Sequence, residues 1–212
     1  MIHLFFDNDG VLVDTEHLYM EASQWVLADE GIALGAAEYV DLFMRQNRGL
    51  LHFADAHGWS ADRLQAMRAR RNERYAALLA REPVMLDGVA ETLATLHGRA
   101  PMGIVTSSRR EHFDIIHART GLLRYFDFVL AEGDYPVSKP DPAPYLAAIA
   151  RTGADPSACL VIEDSERGLR SALAAGLRCA IVPSRLTRGQ RFDGAWRVLD
   201  DVRQLPGVLE TL

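Results

Sequence analysis

The chain has 212 residues, 49% of them hydrophobic and 25% charged, enough to bury a sizeable core and to hold one large or two modest domains. A net charge of -6 supplies no electrostatic footprint for nucleic acid or for an anionic membrane, so neither is an expected partner. No apolar window approaches membrane-spanning length, and Met1 to Phe6 shows no cationic segment followed by a long apolar stretch, so a soluble protein is expected. Cys159 and Cys179 each sit beside an apolar run, which predicts buried free thiols in a cytoplasmic protein.

The first element is the apolar run Ile2 to Phe6, which reads as a buried strand and delivers Asp7-Asn8-Asp9-Gly10 at its end. In extended backbone residues i and i+2 share a face, so Asp7 and Asp9 point into one crevice. Two carboxylates there repel unless a cation lies between them, and a magnesium ion (Mg2+) suits hard oxygen ligands and bridges them readily to phosphate. On the tetrapeptide alone, a surface Asx turn closed by Gly10 is the alternative. Residues 16–81 then look almost wholly helical, with segments at 16–30, 36–45, 50–57 and 60–81, placed by apolar periodicity. Thr15 and Glu16 read as the cap of the first of these helices, and Arg45-Gln46-Asn47-Arg48 lies between two of them. Arg68, Arg70, Arg71 and Arg74 read as a solvated helix face.

From Met85 onward the texture alternates: helix 87–97, strand 101–105, helix 109–119, strand 126–130, helix 142–152, strand 159–163, helix 166–175, strand 178–182, then a short strand at 196–199 and a terminal helix. This predicts an α/β fold, a Rossmann-like parallel sheet flanked by helices, built from residues 1–14 and 83–212. Residues 15–82 are expected to form an inserted all-helical cap, joined through a two-strand hinge near Asp14 and Pro83. Ligands of open parallel sheets bind beyond the carboxyl ends of the strands. Those ends carry Asp7 and Asp9, Thr106-Ser107-Ser108, and Glu163-Asp164-Ser165, with Lys139 before a helix on the same rim. Of 23 Lys plus Arg, Lys139 is the one lysine, a compact point charge that can touch a phosphate oxygen and a carboxylate together. Asp141 is the expected cap of the next helix with Pro142 at its first position, and Ser108 with Glu111 fits a capping box. The seven histidines show no metal-binding spacing.

Four signatures follow in order: Phe6-Asp7-Asn8-Asp9-Gly10-Val11-Leu12-Val13-Asp14-Thr15-Glu16; the strand-end Thr106; Ser138-Lys139-Pro140; and Glu163-Asp164-Ser165 followed by Gly168 and Ala174-Ala175-Gly176. Together they resemble the haloacid dehalogenase superfamily, in the branch whose helical cap is inserted after the first motif, and the resemblance covers nearly the whole chain. It implies a magnesium-dependent phosphatase of small phosphorylated metabolites, sugar phosphates foremost. Asp7 would be the nucleophile that forms an aspartyl-phosphate. Asp9 would protonate the leaving alkoxide and later deprotonate the hydrolytic water. The ion would be held by one oxygen of Asp7, the backbone carbonyl of Asp9 and the side chain of Asp164, with Glu163 reaching it only through water. Lys139, Thr106 and the amides of Ser107 and Ser108 would grip the phosphate oxygens. Cap residues set specificity in this architecture, which makes Arg45 and Asn47 candidate substrate contacts. Relatives often carry a glycine near Arg45, so their specificity is not carried over. A phosphosugar mutase of the same family would share every core residue, but Tyr19 stands where it has a histidine. A true haloacid dehalogenase needs neither Asp9 nor Asp164, and the intact catalytic set argues against a binding protein without turnover.

Overall fold

A computed structural model describes residues 1–210. The chain divides into two compact units, one of Met1–Asp14 with Val84–Leu212 and one of Thr15–Pro83. The first contains a six-stranded sheet: β1 (His3–Phe6), β2 (Met102–Arg109), β3 (Phe128–Glu132), β4 (Cys159–Glu163), β5 (Arg178–Ile181) and β6 (Arg197–Val198). All neighbours run parallel, in the order β3-β2-β1-β4-β5-β6. Such a sheet is covered on both faces, which is why its central strands are continuous apolar runs rather than alternating ones. Every residue of Cys159-Leu160-Val161-Ile162 is buried. The chain fills one side of β1 first and then crosses to the other with β4, which opens a crevice beyond the carboxyl ends of β1 and β4.

The second unit is wholly helical among its assigned elements: α1 (Glu16–Ala28), α2 (Ala36–Tyr39) running on into a π-helical segment Val40–Arg45, α3 (Leu50–His57) and α4 (Ala61–Leu79). Its own core gathers Val26, Leu27, Tyr39, Leu42, Phe53 and Met67. The helices of the first unit are α5 (Val89–Leu96), α6 (Arg110–His117), α7 (Ala143–Thr152), α8 (Glu166–Ala174) and α9 (Leu205–Leu209). In α8, Leu169 and Ala172 join the core with Phe5, Val161 and Cys179, while Arg170 stays exposed. Both cysteines are buried and free. No helix among the described residues is long and apolar enough to cross a membrane.

Several local expectations are corrected. Strand β2 continues past the expected 105 to Arg109, with its register to β3 shifting between Val105 and Arg109; a bulge of this kind re-aims side chains at a strand end. Helix α6 consequently begins at Arg110 with no side-chain cap, and Ser108 makes no capping box. Helix α7 begins at Ala143, one residue beyond the expected start, although the Asp141 carboxylate does accept the Ala143 N–H at 2.9 Å. Thr15 stands at the N-cap of α1 without a side-chain cap bond. Arg71 does not belong to a solvated face: it is 9% exposed, with its guanidinium 4.6 Å from the Tyr19 ring centre. Its neighbours Arg70 and Arg74 do reach outward, to Asp29 and Glu21.

The central strand β4 is the element whose packing the rest of the sheet needs most. Leu160 has no exposed surface and pairs with Leu4 and Arg178 on its two sides. Truncation to Leu160→Ala should lower the unfolding free energy by about 2–5 kcal/mol in urea titrations; a loss well under 1 kcal/mol would show a site that collapses around the deletion.

Candidate active site

Four segments of the first unit meet at the carboxyl edge of the sheet. Asp7 continues β1, its N–H bonded to the Ile162 carbonyl at 2.8 Å. Beyond it the chain turns sharply. The Asn8 carbonyl accepts the N–H groups of Leu12 at 2.8 Å and Val13 at 3.2 Å, and Gly10 takes a left-handed φ of 85°. A side chain at Gly10 would lie 2.2 Å from Asp164 Oδ2, so the glycine makes room for that carboxylate as well as for the turn.

Lys139 is the centre of the site. Its buried ammonium donates to Asp7 Oδ1 at 2.9 Å, to Glu163 Oε1 at 2.7 Å and to the Val105 carbonyl at 2.8 Å. Three N–H donors meet three acceptors, which suits a tetrahedral ammonium and not a planar guanidinium fork. Burial alone would lower the Lys139 pKa, but the carboxylates of Asp7 and Glu163 overcome it and hold the ammonium charged. For Glu163, burial pushes upward while Lys139 wins and brings the pKa below the ordinary range. Asp7 goes the other way: burial, reinforced by Glu163 and only partly offset by Lys139, pushes it up to about 7.

The carboxylates of Asp7, Glu163 and Asp164 lie within 4.8 Å of one another. Against the single ammonium they leave an excess of negative charge in a buried place, and a divalent cation would remove it. The donor set is all oxygen, which fits a hard ion. Glu163 is already committed. Besides Lys139 it accepts from the Tyr145 hydroxyl at 2.9 Å, and its other oxygen accepts from Asp164 N at 3.2 Å, Ser165 N at 3.4 Å and Ser165 Oγ at 3.1 Å. Helix α8 is packed tightly against this carboxylate: a Cβ on Gly168 would fall 1.8 Å from Glu163 Cδ. Asp164 Oδ2 in turn accepts from the buried Thr187 hydroxyl at 3.2 Å.

Asp9 is held from the β2 side. Its Oδ2 accepts from Ser108 Oγ at 2.5 Å and from Thr106 Oγ1 at 3.4 Å. The hydroxyl of Ser108 thus serves Asp9 rather than a helix end, and the Ser108 N–H donates to Thr106 Oγ1 at 3.0 Å. Tyr135 donates to the Thr106 carbonyl at 2.6 Å, fixing that strand end from beneath. Two bonded groups thus form on this rim, Asp7 with Lys139, Glu163 and Asp164, and Asp9 with Thr106 and Ser108, with Ser107 in the same extension of β2. Arg45 and Asn47 belong to the other unit, Arg45 at the end of the π-helical segment and Asn47 in a turn with φ 54°.

Sequence reasoning missed Tyr145, Thr187, the side chain of Asn8, and His117. The first two had no signal beyond lying near polar segments. Asn8 did have one, a polar residue in a place that burial made costly, between two recognised carboxylates. His117 is 5% exposed, its Nε2 2.7 Å from Asn8 Oδ1 and its Nδ1 2.9 Å from Thr120 Oγ1. Burial lowers its pKa from 6.5 to about 4, against the upward pull of Asp9 and Asp114. Between these values the unfolded chain binds the extra proton, so this stability is complete above 6.5 and is lost as pH falls toward 4. The variant His117→Gln should show a smaller drop in thermal midpoint on acidification across that window than the natural chain; an equal drop would mean the native imidazole is already charged.

Residues 3–176 match the family of haloacid dehalogenase-like hydrolases. The chain is 34% identical to protein CbbY of Rhodobacter capsulatus over 209 residues, covering 93% of this chain and 92% of that one. It is 30% identical to the fructose-1-phosphate phosphatase YqaB of Escherichia coli, covering 82% and 92%. Among solved structures, a variant of CbbY from Rhodobacter sphaeroides in complex with xylulose-(1,5)bisphosphate superposes with a TM-score of 0.84 at 26% identity, over 97% of this chain and 96% of the other. The strand-end carboxylates, the buried lysine and the extent of these matches agree, and the chain belongs to the haloacid dehalogenase-like hydrolases.

Proposed function

We propose that this hydrolase cleaves phosphate monoesters of small sugars through an aspartyl-phosphate on Asp7. The observation that carries the reading is the Lys139 ammonium bonded to Asp7 Oδ1 at 2.9 Å, with the Asp164 carboxylate within 4.8 Å of that of Asp7. A nucleophilic carboxylate attacking a phosphate needs positioning and compensation of charge more than covalent assistance, and Lys139 provides both. One oxygen of Asp7 attacks phosphorus in line, and the ester oxygen leaves on the opposite side. Asp9 gives that alkoxide its proton, then takes one from the water that hydrolyses the aspartyl-phosphate. Thr106, Lys139 and the amides of Ser107 and Ser108 are proposed to hold the remaining phosphate oxygens. Asp7, the main-chain carbonyl of Asp9 and Asp164 would hold Mg2+, which when bound supplies further neutralisation of the phosphate charge. Glu163, with its oxygens engaged by Lys139, Tyr145 and Ser165, anchors Lys139 and meets the ion only through water.

The sugar assignment rests on the relatives, which include a fructose-1-phosphate phosphatase, a validoxylamine A 7'-phosphate phosphatase and a hexitol phosphatase. The helical unit is proposed to act as a cap, with Arg45 and Asn47 contacting the leaving group. A phosphosugar mutase is disfavoured because Tyr19 lies against Arg71 and Tyr75 and brings no imidazole to the cap. Buried free cysteines and the acidic charge fit a cytoplasmic enzyme of small metabolites.

A panel of sugar phosphates assayed with magnesium and with chelator tests this reading. Turnover should vanish in chelator and return with magnesium; turnover indifferent to both would sink the metal assignment. The variant Asp7→Asn keeps volume and should lose at least about a thousandfold in kcat with its fold intact. Appreciable residual activity would move the nucleophile elsewhere.

A further inference from the structure

The Asp9 carboxylate is tethered by residues that the chemistry above does not use. Besides Ser108 and Thr106, its Oδ2 accepts from Asn8 Nδ2 at 3.3 Å. Asn8 has no exposed surface, and behind it stand His117 and Thr120, whose oxygen also accepts from the Leu122 N–H at 3.3 Å. A single arrangement of protons satisfies every link. The Asn8 amide nitrogen must face the carboxylate, so its carbonyl faces the imidazole, 2.7 Å from Nε2. Nε2 therefore carries the ring proton, and Nδ1 accepts from the Thr120 hydroxyl at 2.9 Å. Every donor in the chain points toward Asp9, beginning at a main-chain amide.

We infer that Thr120, His117 and Asn8 form a positioning chain that fixes the Asp9 carboxylate for proton transfer; the inference rests on the reading of Asp9 as acid and base. Rotation of a carboxylate about its last torsion is broad and weakly hindered, whereas proton transfer requires an approach of about 2.6–3.2 Å. An apolar side chain at position 8 would fill the space and hold nothing. The turn itself does not need the Asn8 side chain, because the Asn8 carbonyl makes its bonds to Leu12 and Val13 from the backbone. Asn8 and His117 are thus positioning residues that act through Asp9.

The discriminating substrate is p-nitrophenyl phosphate, whose leaving group needs no proton. In Asn8→Leu the pre-steady-state burst of nitrophenolate should keep its rate within about twofold, because phosphorylation of Asp7 then bypasses the acid. Steady-state turnover of fructose 1-phosphate should fall about tenfold or more with KM little changed, as a misplaced catalytic group predicts. His117→Phe should behave alike, and His117→Gln, whose amide can donate in place of Nε2, should recover most of the loss. All variants are compared at a temperature where circular dichroism shows them folded. The inference is overturned by a burst rate that falls as far as sugar-phosphate turnover, by no fall in either, or by equal activity of the two His117 variants. A natural chain with neither burst nor turnover on any monoester would instead sink the phosphatase reading itself.

Discussion

The structure depends on one buried ammonium. Lys139 reaches the end of the sheet and there spends its three hydrogens on Asp7, Glu163 and the backbone of β2, so three separate strands are tied to one charge. A buried charge left without its partner costs about 3–5 kcal/mol, which makes the trio of Lys139, Asp7 and Glu163 a unit that forms together. Two negative groups share that single cation, and burial, reinforced by the Glu163 charge, pushes the Asp7 pKa up to about 7. The site is thus built with a deficit of positive charge at the point where a metal ion and a phosphate ester would meet. The buried ion trio and the proposed chemistry share the same residues, and Glu163 is saturated by Tyr145, Ser165 and the Asp164 amide.

Around this charge the rim is divided between two kinds of support. On the β4 side the devices are steric: Gly10 and Gly168 lack side chains where a Cβ would collide with Asp164 and Glu163. The carboxylates are confined by close backbone approach as much as by hydrogen bonds. On the β2 side the devices are polar. The shifted register beyond Val105 turns Thr106 and Ser108 toward Asp9, and the Asn8 and His117 side chains continue the support into the interior. The donors described for Asp9 are the neutral groups of Asn8, Thr106 and Ser108, whereas Asp7 accepts from the Lys139 ammonium.

Much of this was legible beforehand. Alternating apolar runs and helical periodicities announce a parallel α/β sheet, because each strand buried on both faces must be apolar throughout. The helical texture of residues 16–81, which no strand interrupts, points to an insertion by the same logic. The pairs Asp7 with Asp9 and Glu163 with Asp164, and the lone lysine, stand out because chemistry-bearing residues at strand ends have few structural reasons to exist. Errors were local. Ser108 was read as a helix cap because its spacing to Glu111 satisfies a short-range rule, yet the bulge in β2, a pairing effect with β3, carries it to Asp9. Arg71 reads as solvated from the arginine bias of the whole chain, and packing over the Tyr19 ring decides otherwise.

What the sequence by itself determined is the set of elements and the identity of the charged groups, since periodicity and strand-end placement are written in residues near one another. What only the tertiary structure decided is partnership. His117 meets Asn8 across more than a hundred positions, Tyr145 reaches Glu163 from α7, and Thr187 reaches Asp164 from the loop after β5. None of these pairs has a characteristic spacing, because the distance between two points on different elements is set by how sheet and helices pack, and that packing exists only once the whole core has closed.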